Sequence, residues 1–510
     1  MQKKQTILVV ASLLVVVLSV TLAYFTAQII GKGKNVTINS ADLKIIFTDS
    51  DGSISGSNIE PGKWNVTKTF TIENKSNETY KYNIVIQNLV NTFVTEGYLQ
   101  YKITSTNGGY NMAEFKDVPK SETATDTILA YSASIEVGVT QSYTVEFIYK
   151  NDETVDQSID MGKTLSGKLF ITEGTVKPTT LYEQILADNP TRSTRSNNNN
   201  GTNDFATPLT ATTTGTLFTS TESITGITDS PKEVYYYAGN TTNNWVKFAG
   251  FYWRIIRTNH DSSIRLLYVG TSPDTTSGNI GDSAFNSSYN SPKYVGYKYG
   301  EDTSLDTIRN NTTDSTIKTT IDTWYKNSLK NYTKYLSTSA VYCNDRSLGT
   351  GQTYSASSNF NFASYYRMDY DTKGAKANPS YNCTDIRDAF SVDNTSAKLD
   401  YPVSLMTADE IAFAGGVAFK TMNNPYAWFI NNSAGTQVSS YWWSLSPSYL
   451  YGSGSRVWLW FPIDVYLYRE RVDGAGAVRP AISLKSCTLY NTGDGSATNP
   501  YTILETESGC

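Results

Sequence analysis

Apolar side chains that recur at every second position commit the first third of this chain to β-structure. Tyr80, Tyr82, Ile84 and Ile86 alternate with polar neighbours, as do Tyr143, Val145, Phe147 and Tyr149, and Phe70 and Ile72 add a shorter run. A period of two sends successive side chains to opposite faces of a strand, so each run has one face to bury. Clusters of Gly, Asn and Ser separate the runs, and no long helical stretch interrupts them. The pattern predicts an antiparallel β-sandwich domain over residues 30–173.

The pattern changes after residue 173. Residues 174–228 read as a helical piece and a polar linker. Thr180 is a candidate cap, Leu181, Ile185 and Leu186 are the apolar positions, and Pro190 is the stop. The run Thr191 to Asp204, with four consecutive asparagines from Asn197 to Asn200, is too polar to bury anything. Residues 229–510 mix strands with a few helices, which predicts an α+β domain in a mainly-β chain. Two strands joined by a hairpin are expected in "NWVKFAGFYWRIIRT". A helix is expected from Asp314 or Ser315, with Ile317, Ile321, Trp324, Tyr332 and Leu336 on one face. In "TADEIAFAGG" Thr407 and Glu410 have capping-box spacing, and Gly415 and Gly416 end the helix.

Lys3 and Lys4 precede a nearly continuous apolar run from Ile7 to Phe25, so residues 1–29 read as a signal or transmembrane segment and the chain as exported. Cleavage and retention as an anchor are both open. With 42 basic and 47 acidic side chains and no long Lys/Arg cluster, nucleic acid is excluded as a partner. The four cysteines, Cys343, Cys383, Cys487 and Cys510, form no CxxC pair. Export permits disulfides, and of three connectivities the sequence-local one, Cys343–Cys383 with Cys487–Cys510, is preferred over free buried thiols.

Two resemblances add to this reading. "AYFTA" followed by "ADLKIIFTDSDGSISGSNIEPGKWNVTKTFTIENKSNETYKYNIVIQNL" resembles the camelysin and TasA-like proteins of Firmicutes over roughly the first 170 residues. That likeness implies a jelly-roll-like sandwich and, in some members, assembly into fibres. Seven phrases in order resemble Firmicute surface proteins with a DUF6273-type domain. They are "FAGFYWRIIR", "STIKTTIDTWYKN", "VYCNDRS", "YPVSLMTADEIAFAGG", "YWWSLSP", "AVRPAISLK" and "GDGSATNPYTI". This second likeness implies a C-type-lectin-like fold, similar to sulfatase-modifying factors. Trp442, Trp443, Pro447, Val478, Arg479 and Pro480 would then frame a displayed stretch, residues 448–476. Some relatives have this stretch rewritten by diversity-generating retroelements. Ala477, where the family usually has Gly, and "FPIDV" depart from the pattern inside or beside that stretch.

Few residues here suit catalysis. Camelysins are classed as metallopeptidases, but a zinc protease needs several imidazoles, and this chain has one histidine, His260, outside that domain. His260 reads as a solvated turn residue. "DSDGS" (Asp49 to Ser53) lacks the bidentate acid of a calcium loop and reads as a tight turn. Asp409 and Glu410 are explained by helix capping. No catalytic residue, metal site or cofactor is expected. The displayed stretch carries the functional expectation. Tyr449, Tyr451, Ser453, Ser455, Arg456, Phe461, Asp464, Tyr466, Tyr468, Arg469, Arg471 and Asp473 are its candidate ligand-binding residues, with Trp458 structural. Rigid aromatic area beside adaptable polar groups is the mixture antibody loops use. The alternative is a tyrosine-rich strand pair packed inside, with Trp458 and Trp460 alternating into the core. The reading is a cell-surface adhesin or receptor, not an enzyme, for an extracellular protein or glycan ligand. It would contact the membrane through its N-terminal segment if that is uncleaved. A fibre subunit polymerising through the N-terminal sandwich is the second reading, and a carbohydrate-active enzyme the third.

Overall fold

The computed structural model describes residues 36–39, 43–47, 52–55, 59–95, 97–173, 179–195, 205, 209, 214–368, 378–419, 427–452, 454–506 and 509–510. The N-terminal segment 1–29, the run Asn197 to Asn200 and Asp49 to Asp51 lie outside them. The chain is mainly β, 40% strand and 14% helix. It divides into two compact units, Met1–Lys177 and Pro178–Cys510.

The described residues of the first unit form nine strands: β1 (Val36–Asn39), β2 (Leu43–Phe47), β3 (Asn65–Asn74), β4 (Tyr80–Asn91), β5 (Leu99–Ser105), β6 (Lys116–Asp117), β7 (Ser121–Ile135), β8 (Thr140–Tyr149) and β9 (Leu165–Glu173). They form one sheet in the order β1-β2-β3-β8-β5-β6 and another in the order β7-β4-β9. Neighbouring strands are antiparallel throughout. The period-two residues meet in one core. Tyr143, Val145, Phe147 and Tyr149 of β8 are buried beside Phe70 and Ile72 of β3 and Tyr82, Ile84 and Ile86 of β4. The predicted sandwich is therefore observed.

The second unit is built on a nine-stranded sheet. Its main path runs Thr191–Ser193, Thr216–Glu222, Lys232–Tyr236, Phe251–Thr258, Ile264–Gly270, Pro480–Leu484 and Val403–Leu405. The hairpin Trp245–Phe248/Phe251–Thr258 turns on Ala249 (φ 56°) and Gly250 (φ 78°), the two left-handed residues that a type I′ turn requires. The helix Thr316–Ser328 is capped by the Ser315 hydroxyl and buries Ile317, Ile321 and Tyr325. The Thr407–Glu410 capping box is formed on the helix Ala408–Ala414, which ends at Gly415 with φ 119°.

One boundary needs correction. The helix Leu181–Asp188 and the strands Thr191–Ser193 and Thr216–Glu222 do not belong to a linker. Leu181, Ile185 and Leu217 are buried in the second unit's main core, and Thr191–Ser193 pairs in parallel with Thr216–Glu222. Thr180 and Glu183 close a second capping box there. Polar composition concealed this, because three buried side chains suffice to dock a short helix and an edge strand. The structure also pairs Cys343 with Cys383 and Cys487 with Cys510, with Cα separations of 5.8 and 5.0 Å.

Candidate ligand-binding face

The second sheet of this unit contains a three-stranded antiparallel meander, Trp442–Tyr451, Gly454–Phe461 and Tyr466–Arg471. Indole side chains fix it in the core. Trp442 stands opposite Trp460, and Phe429 meets the two edge-on at 6.0 and 4.8 Å. Trp443, pointing to the other face, packs against Phe285 and donates its Nε1–H to the Ser283 carbonyl at 2.9 Å. Trp458 donates to the Ser364 hydroxyl at 3.1 Å. Trp442, Trp443, Pro447, Trp458, Trp460, Val478, Arg479 and Pro480 are all buried. The Arg479 guanidinium donates to the Tyr268 carbonyl beside the Trp442 ring.

The remaining aromatic side chains form a strip of ring contacts that passes from the face of Tyr449 and Arg469 to the face of Tyr466, Tyr468 and Phe461 through Phe419. Tyr451 contacts Tyr449 (ring centroids 6.1 Å), and the Arg469 guanidinium lies over both Tyr449 and Phe419. Phe419 meets Tyr468 at 6.2 Å, Tyr468 meets Tyr466 at 6.0 Å and Phe461 at 5.9 Å, and Phe461 reaches Tyr441 at 6.4 Å. Beside the strip, Arg471 pairs with Asp473 and lies over the Tyr289 ring, and Arg456 is 3.6 Å from Glu470. The Tyr466 hydroxyl donates to Asp464 at 3.3 Å. Exposure singles this region out. The exposed large apolar or aromatic residues of the second unit among those described are Tyr289, Tyr441, Tyr451 (63%) and Ile463 (79%), and all four sit on or beside the meander.

Ten of the candidate residues therefore come together: Tyr449, Tyr451, Arg456, Phe461, Asp464, Tyr466, Tyr468, Arg469, Arg471 and Asp473, none of them buried. Ser455 is a correction. Its register position opposite Leu450 points inward, where it is fully buried and donates to the Ser291 carbonyl. Ser453 lies outside the described residues. The stretch is a meander whose two faces both mix buried and accessible side chains: Tyr449, Arg456, Arg469 and Arg471 share the face of Trp458 and Trp460, and Phe461, Tyr466 and Tyr468 share the face of Leu459. Sequence reasoning missed Tyr365, Phe419 and Tyr289, which arrive from distant segments with no local signal. Phe419 carries a backbone mark of its own, a φ of 52°, which is rare for a bulky side chain.

No protein-family model, curated protein or solved structure matches the chain.

A polar cleft elsewhere in the unit gathers Glu222, Arg257, Arg265, Asp345, Arg367, Asp409 and Glu410 beside the Cys343–Cys383 disulfide. Its charges are mutually committed. Glu410 accepts from Arg257 at 2.8 Å and Arg265 at 2.6 Å, Glu222 from Arg257 at 2.8 Å, and Asp345 and Asp409 both pair with Arg367. Burial opposes ionisation of Glu222, Asp345 and Glu410, yet the guanidinium groups outweigh it and hold all three below the ordinary carboxylate range. A general acid for glycoside cleavage needs the opposite shift. His260 is not solvated as the sequence predicts. It does occupy the turn between two strands, but its imidazole is largely buried against Glu222, with Nδ1 3.4 Å from the carboxylate. Asp314, Asp322 and Asp400 are spaced as metal ligands would be, but the Lys318 ammonium sits among them at 2.5–3.1 Å. The cation that group needs is already supplied by the chain.

Proposed function

We propose that this is an exported cell-surface protein whose second unit binds an extracellular ligand on the aromatic strip of the meander. One observation carries the reading: among the described residues, the unit's exposed large apolar and aromatic side chains gather around this one sheet. Contiguous exposed apolar surface rimmed by polar groups is the usual mark of a binding site. The two disulfides fit an oxidising compartment and agree with the Lys3/Lys4 and Ile7–Phe25 signal. The likeness to DUF6273-type, C-type-lectin-like surface proteins supports the same reading, and with it the idea that residues 448–476 vary among copies. The cleft's suppressed carboxylates favour a binding protein over a carbohydrate-active enzyme.

The test replaces Tyr449, Tyr466 and Tyr468 together by Ser and measures capture on arrays of glycans and of cell-surface proteins. Buried aromatic anchors cost on the order of 2 kcal/mol or more each, so capture should vanish. The melting temperature should change little, because all three rings are only partly buried. Unchanged capture would refute the reading.

A fibre-forming role for the first unit has its own supporting observation. Strand β7 is 15 residues long and pairs with β4 on one side only among the described residues. A long free strand edge can accept a strand from another copy. Concentration-dependent filaments formed by the full chain, and their loss when a proline is placed at Thr127, would favour that role.

A further inference from the structure

Arg469 is bound unlike the other arginines of the second unit. Arg257, Arg265, Arg309, Arg346, Arg367, Arg387, Arg456 and Arg471 each reach a carboxylate. Arg192, Arg195, Arg254 and Arg479 donate to carbonyl oxygens. Arg469 makes no hydrogen bond or ion pair with any described residue. Its guanidinium is held by three rings instead, 4.8 Å from the Tyr365 centroid, 4.4 Å from Phe419 and 4.6 Å from Tyr449. Its Nη1 is enclosed with no hydrogen-bond partner. The site is built from three distant parts of the chain: the helix Ala363–Met368, the left-handed Phe419 and the meander.

Such a cation is costly to maintain. Rings stabilise a guanidinium by about 0.5–2 kcal/mol but cannot accept its N–H groups in the way an oxygen does. The local charge is also left unbalanced. Register places Arg456 opposite Arg471, and Arg469, two residues along the strand, shares their face. Glu470 and Asp473 answer Arg456 and Arg471, so among the described residues no carboxylate is paired with Arg469, in a chain whose net charge is −5. A planar fork of donors without an acceptor is the complement of a carboxylate. The surroundings decide what should carry that carboxylate. Tyr449 and Tyr451, on the same face of the meander as Arg469, offer aromatic rings, which suit the C–H face of a pyranose ring.

We propose that Arg469 anchors the carboxylate of an acidic saccharide whose sugar rings stack on Tyr449 and Tyr451. This rests on the ligand-binding reading of the same face and gives its ligand a chemical class.

The test uses the full chain with oligogalacturonate and sialyl-lactose, the carboxyl-reduced counterpart of each, and a glutamate-rich peptide. Wild type should bind a carboxylated sugar at least about tenfold more tightly than its reduced form, the scale of one charge-assisted hydrogen bond. Added salt should narrow the difference. Arg469→Met should erase the preference and leave the melting temperature equal or higher, because it removes a charge with no acceptor. A purely structural arginine would instead lower it. Arg469→Lys should restore only part of the preference, since an ammonium lacks the planar fork. The proposal is overturned if Arg469→Met binds these sugars like wild type, if reduced sugars bind equally well, if only the peptide binds, or if none of the probes binds. The two readings remain separable. Array capture that is lost in the triple tyrosine variant but kept in Arg469→Met would remove this inference and leave the binding face standing.

Discussion

Glu410 joins three parts of the second unit, so changing it should expose how much the buried charge network contributes. Its side chain is 1% exposed, one oxygen accepting from Arg257 and Arg265 while the other accepts from the Thr407 N–H at 2.9 Å. Glu410→Gln preserves the volume but cannot preserve this pattern. If the amide oxygen faces the arginines, its NH2 meets the Thr407 N–H; if it turns, its NH2 meets two guanidinium groups. Arg257 keeps Glu222, whereas Arg265 keeps only the Val341 carbonyl and the Tyr342 ring. Leaving a buried charge without its partner costs about 3–5 kcal/mol. At about 2 °C per kcal/mol for a unit of this size, the melting temperature should fall by about 6–10 °C. Tryptophan fluorescence reports this unit selectively, because Trp64 is the sole tryptophan before Pro178 and eight of the nine lie beyond it. Asp306→Asn is the control, since that carboxylate pairs with Arg387 at the surface, where such pairs contribute about 0–1 kcal/mol. If both variants melt alike, the network is solvated and the argument from burial is wrong.

Two further outcomes follow from the same unit. Glu222, Asp261, Asp345 and Glu410 all have depressed folded-state pKa values, so the stability they contribute is present above about pH 4, the unfolded carboxylate range, and is lost as pH falls below it. Asp322 acts in the opposite direction, because burial raises its pKa and acid relieves its cost. The melting temperature should therefore fall progressively as pH drops from about 5 towards about 1, and a flat profile would refute the assignment. Reducing both disulfides should destabilise the unit as well. The 40-residue Cys343–Cys383 separation corresponds to about 4 kcal/mol of chain entropy, more than the 23-residue Cys487–Cys510 separation. Cys343→Ser should therefore lower the melting temperature more than Cys510→Ser, and the reverse order would count against the entropic account.

What could be read from the sequence was local. The Thr180–Glu183 and Thr407–Glu410 boxes span three residues, and the alternation of Tyr143, Val145, Phe147 and Tyr149 depends only on strand period. Both kinds of pattern survive without tertiary knowledge. The partners of Glu410 do not, because Arg257 and Arg265 lie 153 and 145 residues away. The cage around Arg469 was hidden for the same reason: Tyr365 and Phe419 reach it from separate segments. The error at Ser455 came from treating residues 448–476 as one displayed stretch, although a meander must turn alternate side chains inward. Burial likewise explains why the helical piece Leu181–Asp188, legible from Thr180, Leu181 and Ile185, belongs to the second unit and not outside it.

The proposal that residues 448–476 vary can be examined against the same geometry. A retroelement that rewrites adenines acts most often on AAC codons. Randomising the first two bases yields Tyr, Ser, Gly, Asp, Arg, Phe, Leu or Val among others, but never Trp, Glu, Gln, Lys or Met. Tyr449, Tyr451, Arg456, Phe461, Asp464, Tyr466, Tyr468, Arg469, Arg471 and Asp473 are all reachable, and none of them is buried. Trp458 and Trp460 are unreachable, and both are buried, as fixed framework must be. Glu470 is also unreachable yet half-exposed, and its 3.6 Å contact with Arg456 gives it a framework role on the surface. The codon rule does not select the surface by itself, since Leu459 and Val472 are reachable and buried. A sharper expectation follows when the two constraints are combined. A near-copy of codons 441–484 beside a reverse transcriptase gene should carry adenines at these ten accessible positions and fixed codons at Leu459, Leu467 and Val472. Sequencing the neighbouring DNA decides it. Adenines spread equally over buried and exposed codons, or no such copy at all, would leave an invariant binding face.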